Sequence, residues 1–184
     1  MNKSLSDMTL EELWELFPII LSPHQPIWTD WAKAEISYLT DLLIPYSPII
    51  NHIGSTAIPS IQAKPTIDIL VEIPPDYDWE IIKQIMHSAG YICMSQNIDR
   101  ISFNKGYTPT GYAEKVFHIH FHRTEDIFEI FFRDYLMANS DVENQNQPLK
   151  TSLLPKYKND RDGYTAAKTS FIRSICALNQ NRNY

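Results

Sequence analysis

The chain has 184 residues, 43% of them hydrophobic and 21% charged, which is the composition of a globular protein long enough to bury a core. Sixteen basic residues against 22 acidic ones leave a net charge of −6. That argues against general nucleic-acid binding, which needs a basic surface, but leaves room for a small-molecule or nucleotide ligand held by a few local cations. No apolar run reaches the roughly 20 residues of a membrane span and no signal-type stretch opens the chain, so a cytoplasmic, non-membrane location is expected.

The first predicted element is a short helix over Met8–Phe17. Thr9 and Glu12 have capping-box spacing, and Leu10, Leu13, Trp14 and Phe17 make an apolar face that Pro18 ends. Ile19–Leu21 is either a linker or an edge strand, and Pro23 and Pro26 set a turn. Ile27–Leu43 is an amphipathic helix whose Trp28 and Trp31 are expected in the core. Strands are predicted over Ile49–Ile53 and Thr66–Ile73, then a helix over Trp79–Ala89 capped by Gly90. Tyr91–Met94 and Ile101–Phe103 read as an antiparallel strand pair, Asn104–Glu114 as a loop, and Val116–His122 as an alternating strand. Helices follow over Ile127–Ala138, Val142–Leu154 and Arg161–Leu178. The sum is an α+β fold: a mixed β-sheet flanked by helices, with a helical C-terminal portion, in one domain over residues 1–184 whose first 26 residues are an N-terminal helix and linker. Cys93 and Cys176 lack metal-type spacing and are expected as buried free thiols. The sequence is compatible with a homo-oligomer and does not fix the oligomeric state.

The most informative stretch runs from His52 to Glu72. A strand enters the Gly54-Ser55 turn, whose backbone N–H groups can meet an anion, and a helix start near residues 55–58 would add more donors. A second strand follows and carries Asp68 near its start, where a carboxylate can hold a divalent metal beside that anion. Alternation places Asp68, Leu70 and Glu72 on one face of their strand and His118, His120 and His122 on one face of theirs.

The residues His52-Ile53-Gly54-Ser55-Thr56-Ala57-Ile58-Pro59 and Ala63-Lys64-Pro65-Thr66-Ile67-Asp68-Ile69-Leu70 resemble the signature of the GrpB family. The resemblance continues through Phe117–His120, Phe132–Leu136 and Tyr164–Lys168 and covers most of the chain. It implies the fold of the nucleotidyltransferase superfamily, whose pattern sets a Gly-Gly or Gly-Ser turn ahead of paired carboxylates. This chain departs from that pattern at Leu70, which stands where the second acid belongs. Glu72 is about 13 Å from Asp68 along an extended strand, too far to share one ion.

In the superfamily a third carboxylate comes from a neighbouring strand, and the resemblance places His118 and His120 there. Asp68, His118 and His120 are thus the candidate catalytic and metal-binding residues, the alternative being that the histidines are hydrogen-bonded pocket residues. Mg²⁺ or Mn²⁺ is the metal expected of a carboxylate site, and Zn²⁺ or Fe²⁺ if the imidazoles ligate. His122 is assigned a structural or exposed place, and His24 and His87 carry no signal. The candidate nucleotide- and phosphate-binding residues are His52, Gly54, Ser55, Lys64, Arg133 and Lys168. His52 could instead orient the turn, and the cations could instead form salt bridges or be solvated.

Three functions are compatible with this reading. The first is metal-dependent nucleotidyl transfer from a nucleoside triphosphate to a small acceptor. The second is non-catalytic binding of a nucleotide or a coenzyme A-related ligand, since some members of the family are fused to a dephospho-CoA kinase domain. The third is a His/Asp metal site for another reaction, such as phosphoester hydrolysis.

Overall fold

The computed structural model describes residues 3–74, 76–123 and 128–139, with 152–153, 155–157, 163 and 167. Helix α1 (Leu10–Leu16) begins at the expected box: Thr9 Oγ1 accepts from Glu12 N at 3.2 Å and Glu12 Oε2 accepts from Thr9 N at 2.9 Å. Helix α2 spans Ile27–Leu42, and helix α3 spans Trp79–Ser88 with Asp78 accepting from Glu80 N at 2.9 Å. Gly90, at φ 84°, takes the left-handed conformation that ends α3. The segment between α1 and α2 is neither a plain linker nor a full strand: Ser22 makes an isolated antiparallel bridge with Ala63.

Five strands follow among the described residues: β1 (Ile49–Ile53), β2 (Ile67–Glu72), β3 (Ile92–Gln96), β4 (Arg100–Thr108) and β5 (Gly111–His122). They form one mixed sheet of order β1-β2-β5-β4-β3, in which β2 and β5 run parallel and the other neighbours antiparallel. Its two faces differ in chemistry. Ile67, Ile69 and Val71 of β2, with Ile101, Phe103, Phe117, Ile119 and Phe121, form the main core against Trp28, Ala32 and Leu39 of α2 and Trp79, Ile82 and Met86 of α3. The opposite face aligns Asp68 with His118 and Asn104, Leu70 with His120 and Ser102, and Glu72 with His122 and Arg100.

Helix α4 (Phe128–Ala138) crosses this second face. Its Glu129 approaches His122 at 3.7 Å and Arg100 at 3.4 Å, and its Arg133 reaches back to β1. Phe131, Phe132, Tyr135 and Leu136 pack on Ile58 and Ile61, so the segment after β1 is held between α4 and the sheet.

Two expectations are corrected. Asn104–Glu114 is not a loop but the end of β4 and the start of β5. Gly106 (φ 94°) sits where the pairing register shifts, Pro109 and Thr110 make the turn, and Gly111 (φ 114°) opens β5. The residues that suggested a loop are therefore a bulge glycine and a hairpin turn. Cys93 is exposed, because β3 is an edge strand on which all five side chains are exposed. Cys176 and the helices expected over Val142–Leu154 and Arg161–Leu178 lie wholly or largely outside the described residues.

Candidate active site

The turn after β1 is fixed from below by its own side chains. Gly54 has φ 72° and ψ −170° and leads into one 3-10 turn, Ser55–Ala57. Thr56 is buried, and its hydroxyl donates to the Thr66 carbonyl at 3.1 Å. That hydroxyl must therefore accept from His52 Nε2, 3.0 Å away, which sets His52 as the Nε2–H tautomer. Burial pushes the His52 pKa down to about 4, against the attraction of Asp68, so the ring is neutral near pH 7. The ring is tied to the turn through Thr56. The expected helix start is a single turn: the N–H groups of Ala57 and Ile58 bond to Gly54 and Ser55 carbonyls at 3.3 and 3.2 Å.

Asp68 faces Gly54 across β1 and β2, and its carboxylate is met from β5. Oδ1 lies 3.3 Å from His118 Nδ1 and 3.7 Å from His120 Nε2. One ligand atom from each of the three residues falls within 4.8 Å of the others. The parallel register explains why: Asp68 is paired with His118, and His120 is one alternation further along the same face. Burial alone would raise the Asp68 pKa, but the hydrogen bonds and charges of His118 and His120 outweigh it and hold the carboxyl well below the usual carboxylate range. Burial pushes the His118 pKa down although Asp68 raises it. A carboxylate with two imidazoles is a donor set for Zn²⁺, Mn²⁺ or Fe²⁺ rather than for Mg²⁺ alone, so the residues fit a divalent metal.

The other candidates fall at different distances from this centre. Lys64 is close enough for its charge to help lower the His118 pKa. Arg133 makes two contacts within the fold: its Nε donates to Asp134 at 2.7 Å and its Nη1 to the His52 carbonyl at 2.7 Å, tying α4 to the strand before Gly54. Lys168 lies outside the described residues. Leu70, where a second acid would stand, is fully buried. Glu72 is paired with His122, away from the metal-type group. His122 is buried rather than exposed, beside Glu129. Sequence reasoning missed Tyr107, whose hydroxyl is 2.7 Å from His118 Nε2, because it fell in the segment read as a loop. It also passed over Thr56, whose signal was its place four residues after His52.

The family model described as GrpB protein matches residues 18–178. The chain belongs to the GrpB family. It is 33% identical over 162 residues to the glutamate-rich protein GrpB of Alkalihalophilus pseudofirmus, covering 85% of this chain and 93% of the relative. A UPF0157 protein of Pseudomonas aeruginosa is 31% identical over 156 residues, and there the match covers 83% of this chain and 64% of the relative's length. Among solved structures, conserved protein GrpB from Enterococcus faecalis superposes with a TM-score of 0.75 at 24% identity, over 89% of this chain and 99% of that one. The Cid1 poly(U) polymerase, in an H336N mutant bound to MgATP, gives a TM-score of 0.51 at 14% identity, over 80% of this chain and 46% of that one. The likeness to Cid1 shows the fold: this GrpB chain has the nucleotidyltransferase-like sheet that its sequence suggested. Among the described residues no helix is long and apolar enough to cross a membrane.

Proposed function

We propose that this GrpB protein is a divalent-metal-dependent enzyme of the nucleotidyltransferase type, acting on a small acceptor. The observation that carries the reading is the convergence of Asp68, His118 and His120, with ligand atoms within 4.8 Å of one another directly behind the Gly54 turn. These three residues would hold the metal. When bound, a metal supplies charge neutralisation for a nucleoside triphosphate and makes an attacking hydroxyl more acidic. The Gly54-Ser55 backbone would position the triphosphate, and Lys64 would add positive charge where negative charge develops. The acceptor oxygen or nitrogen would form the new bond to the α-phosphorus as it loses its proton to solvent, while the bond to pyrophosphate breaks.

The test is incubation of purified protein with each nucleoside triphosphate, a panel of small hydroxyl and amine acceptors, and Mn²⁺, Zn²⁺ or Mg²⁺, followed by pyrophosphate assay. Release that disappears in Asp68→Asn supports transfer. No release with any combination overturns it.

A second reading is favoured by Leu70: the position of the partner acid is filled by a fully buried leucine. On that reading the protein binds a nucleotide or a coenzyme A-related ligand without turning it over. Thermal stabilisation by such a ligand with no pyrophosphate release selects it, and no stabilisation by any of them removes it.

A further inference from the structure

The path of β4 beside the site is irregular at one place. Asn104 is paired with His118 and lies on the site face of the sheet. Strict alternation would carry Tyr107, three residues on, to the opposite face. Lys105 does follow that rule, pointing to Glu35 of α2 at 3.3 Å. The register then slips between Lys105 and Tyr107. Gly106 occupies the slip at φ 94°, where a Cβ would come within 2.2 Å of the Lys115 carbonyl. The slip turns Tyr107 back to the site face, where its hydroxyl meets His118 Nε2 at 2.7 Å. Bulges beside functional sites commonly re-aim one side chain in this way.

Tyr107 is also braced from behind. Its ring packs against Phe17 at 4.9 Å and Tyr112 at 5.5 Å, and Phe17 is buried at the end of α1. Tyr112 in turn donates from its hydroxyl to the Phe17 carbonyl at 3.2 Å. The N-terminal helix therefore reaches the site through a chain of contacts: Phe17 to Tyr107, Tyr107 to His118, and His118 to Asp68.

We infer that Tyr107 is the positioning residue of the candidate metal site, fixing the ring of His118 so that Nδ1 faces Asp68 in either imidazole tautomer. A phenolic oxygen both donates and accepts. With Nδ1–H donating to Asp68, the Tyr107 hydroxyl donates to Nε2. With Nδ1 available as a ligand, Nε2–H donates to the Tyr107 oxygen. Ligating histidines characteristically have such a partner on their second nitrogen, and losing it costs about 10- to 100-fold in metal affinity. The inference rests on the metal reading above, but it makes a separate claim about the metal-free protein.

The experiment is Tyr107→Phe, which keeps the ring and removes the hydroxyl. In metal-free protein, long-range ¹H–¹⁵N spectra of the His118 ring are expected to show a hydrogen-bonded Nε2 in the wild type and an Nε2 resonance shifted toward that of a free imidazole in the variant. Calorimetric titration with Mn²⁺ and with Zn²⁺ is expected to weaken about 10- to 100-fold in the variant. Phe17→Leu, which leaves the hydroxyl in place and loosens its brace, is expected to shift both readouts in the same direction by less. Unchanged His118 spectra in Tyr107→Phe overturn the inference. A wild type that binds neither metal while the spectra still respond removes the metal reading and keeps Tyr107 as the residue that orients His118. If Tyr107→Phe unfolds, Phe17→Leu carries the test, and unchanged His118 spectra in that variant overturn the inference.

Discussion

Gly54 and Asp68 approach each other so closely that a Cβ on Gly54 would lie 2.5 Å from Asp68 Oδ2. The glycine also has φ 72°, a region that side chains resist. Gly54→Ala therefore meets both a strained backbone and the carboxylate itself. It is expected to lower stability by about 1–3 kcal/mol, read from urea unfolding, and to weaken metal binding by pushing Asp68 away from His118. An alanine variant with wild-type stability and wild-type Mn²⁺ affinity would show that the close approach is not needed.

The metal-free protein should lose stability on mild acidification. His52 has a folded pKa of about 4, below the ordinary value of 6.5, because burial opposes its charging. The unfolded chain then binds more protons than the folded one between those two values. Stability from His52 is complete above about pH 6.5 and falls as pH drops toward 4, by at most about 1.4 kcal/mol per pH unit. His118 shifts in the same direction and adds to the slope. Asp68, held below the carboxylate range, contributes a further loss only below about pH 4, where its unfolded carboxyl takes up a proton. Urea midpoints between pH 4 and 7 check this. His52→Gln is expected to flatten the curve, and a slope equal to that of the wild type would contradict the assignment.

Much of the site was legible because it depends on strand alternation, which the sequence displays. His118 and His120 had to share a face, and the parallel pairing of β2 with β5 set that face beside Asp68. The sequence could not display which residues answer the second imidazole nitrogen. Tyr107 comes within reach only through a register slip at Gly106, and a glycine between polar residues looks the same in a bulge as in a loop. Arg133 is a similar case. Its residue type allowed phosphate binding or ion pairing, and only the packing of α4 against Ile58 and Ile61 brings it to the His52 carbonyl. The exposure of Cys93 follows from β3 being the sheet edge, which strand order decides and local sequence does not.

Arg133 gives a prediction of its own. Its guanidinium bonds Asp134 and the His52 carbonyl at once, so it joins α4 to β1 at the residue before the site strand ends. Arg133→Lys keeps the charge but loses the fork that makes two bonds in fixed directions. Loss of a charge-assisted bond costs about 1.5–3 kcal/mol. Both Arg133→Lys and Arg133→Met should therefore be destabilised to a similar degree. If Arg133→Lys keeps full stability while nucleotide binding falls, its charge serves a ligand rather than the fold.

Leu70 offers the clearest way to separate a site adapted to imidazole from one that has lost its chemistry. It is fully buried on the same face as Asp68, two residues on, and is paired in register with His120. Leu70→Asp would place a second carboxylate beside the candidate ligands. Burying a charge there without a metal is unfavourable, so the metal-free variant should be destabilised by several kcal/mol, about 2–5 for loss of the leucine's packing alone. Divalent metal should restore part of that stability by binding only the folded form. With two carboxylates the preference should move toward Mg²⁺ and Mn²⁺, while His120→Ala should reduce Zn²⁺ binding most. Thermal denaturation of both variants across Mg²⁺, Mn²⁺ and Zn²⁺ measures this. Stabilisation of Leu70→Asp by Mg²⁺ beyond that of the wild type would mean that the pocket retains the geometry of a carboxylate metal site. No metal response in either variant or in the wild type would mean that Asp68, His118 and His120 are held together by their hydrogen bonds alone.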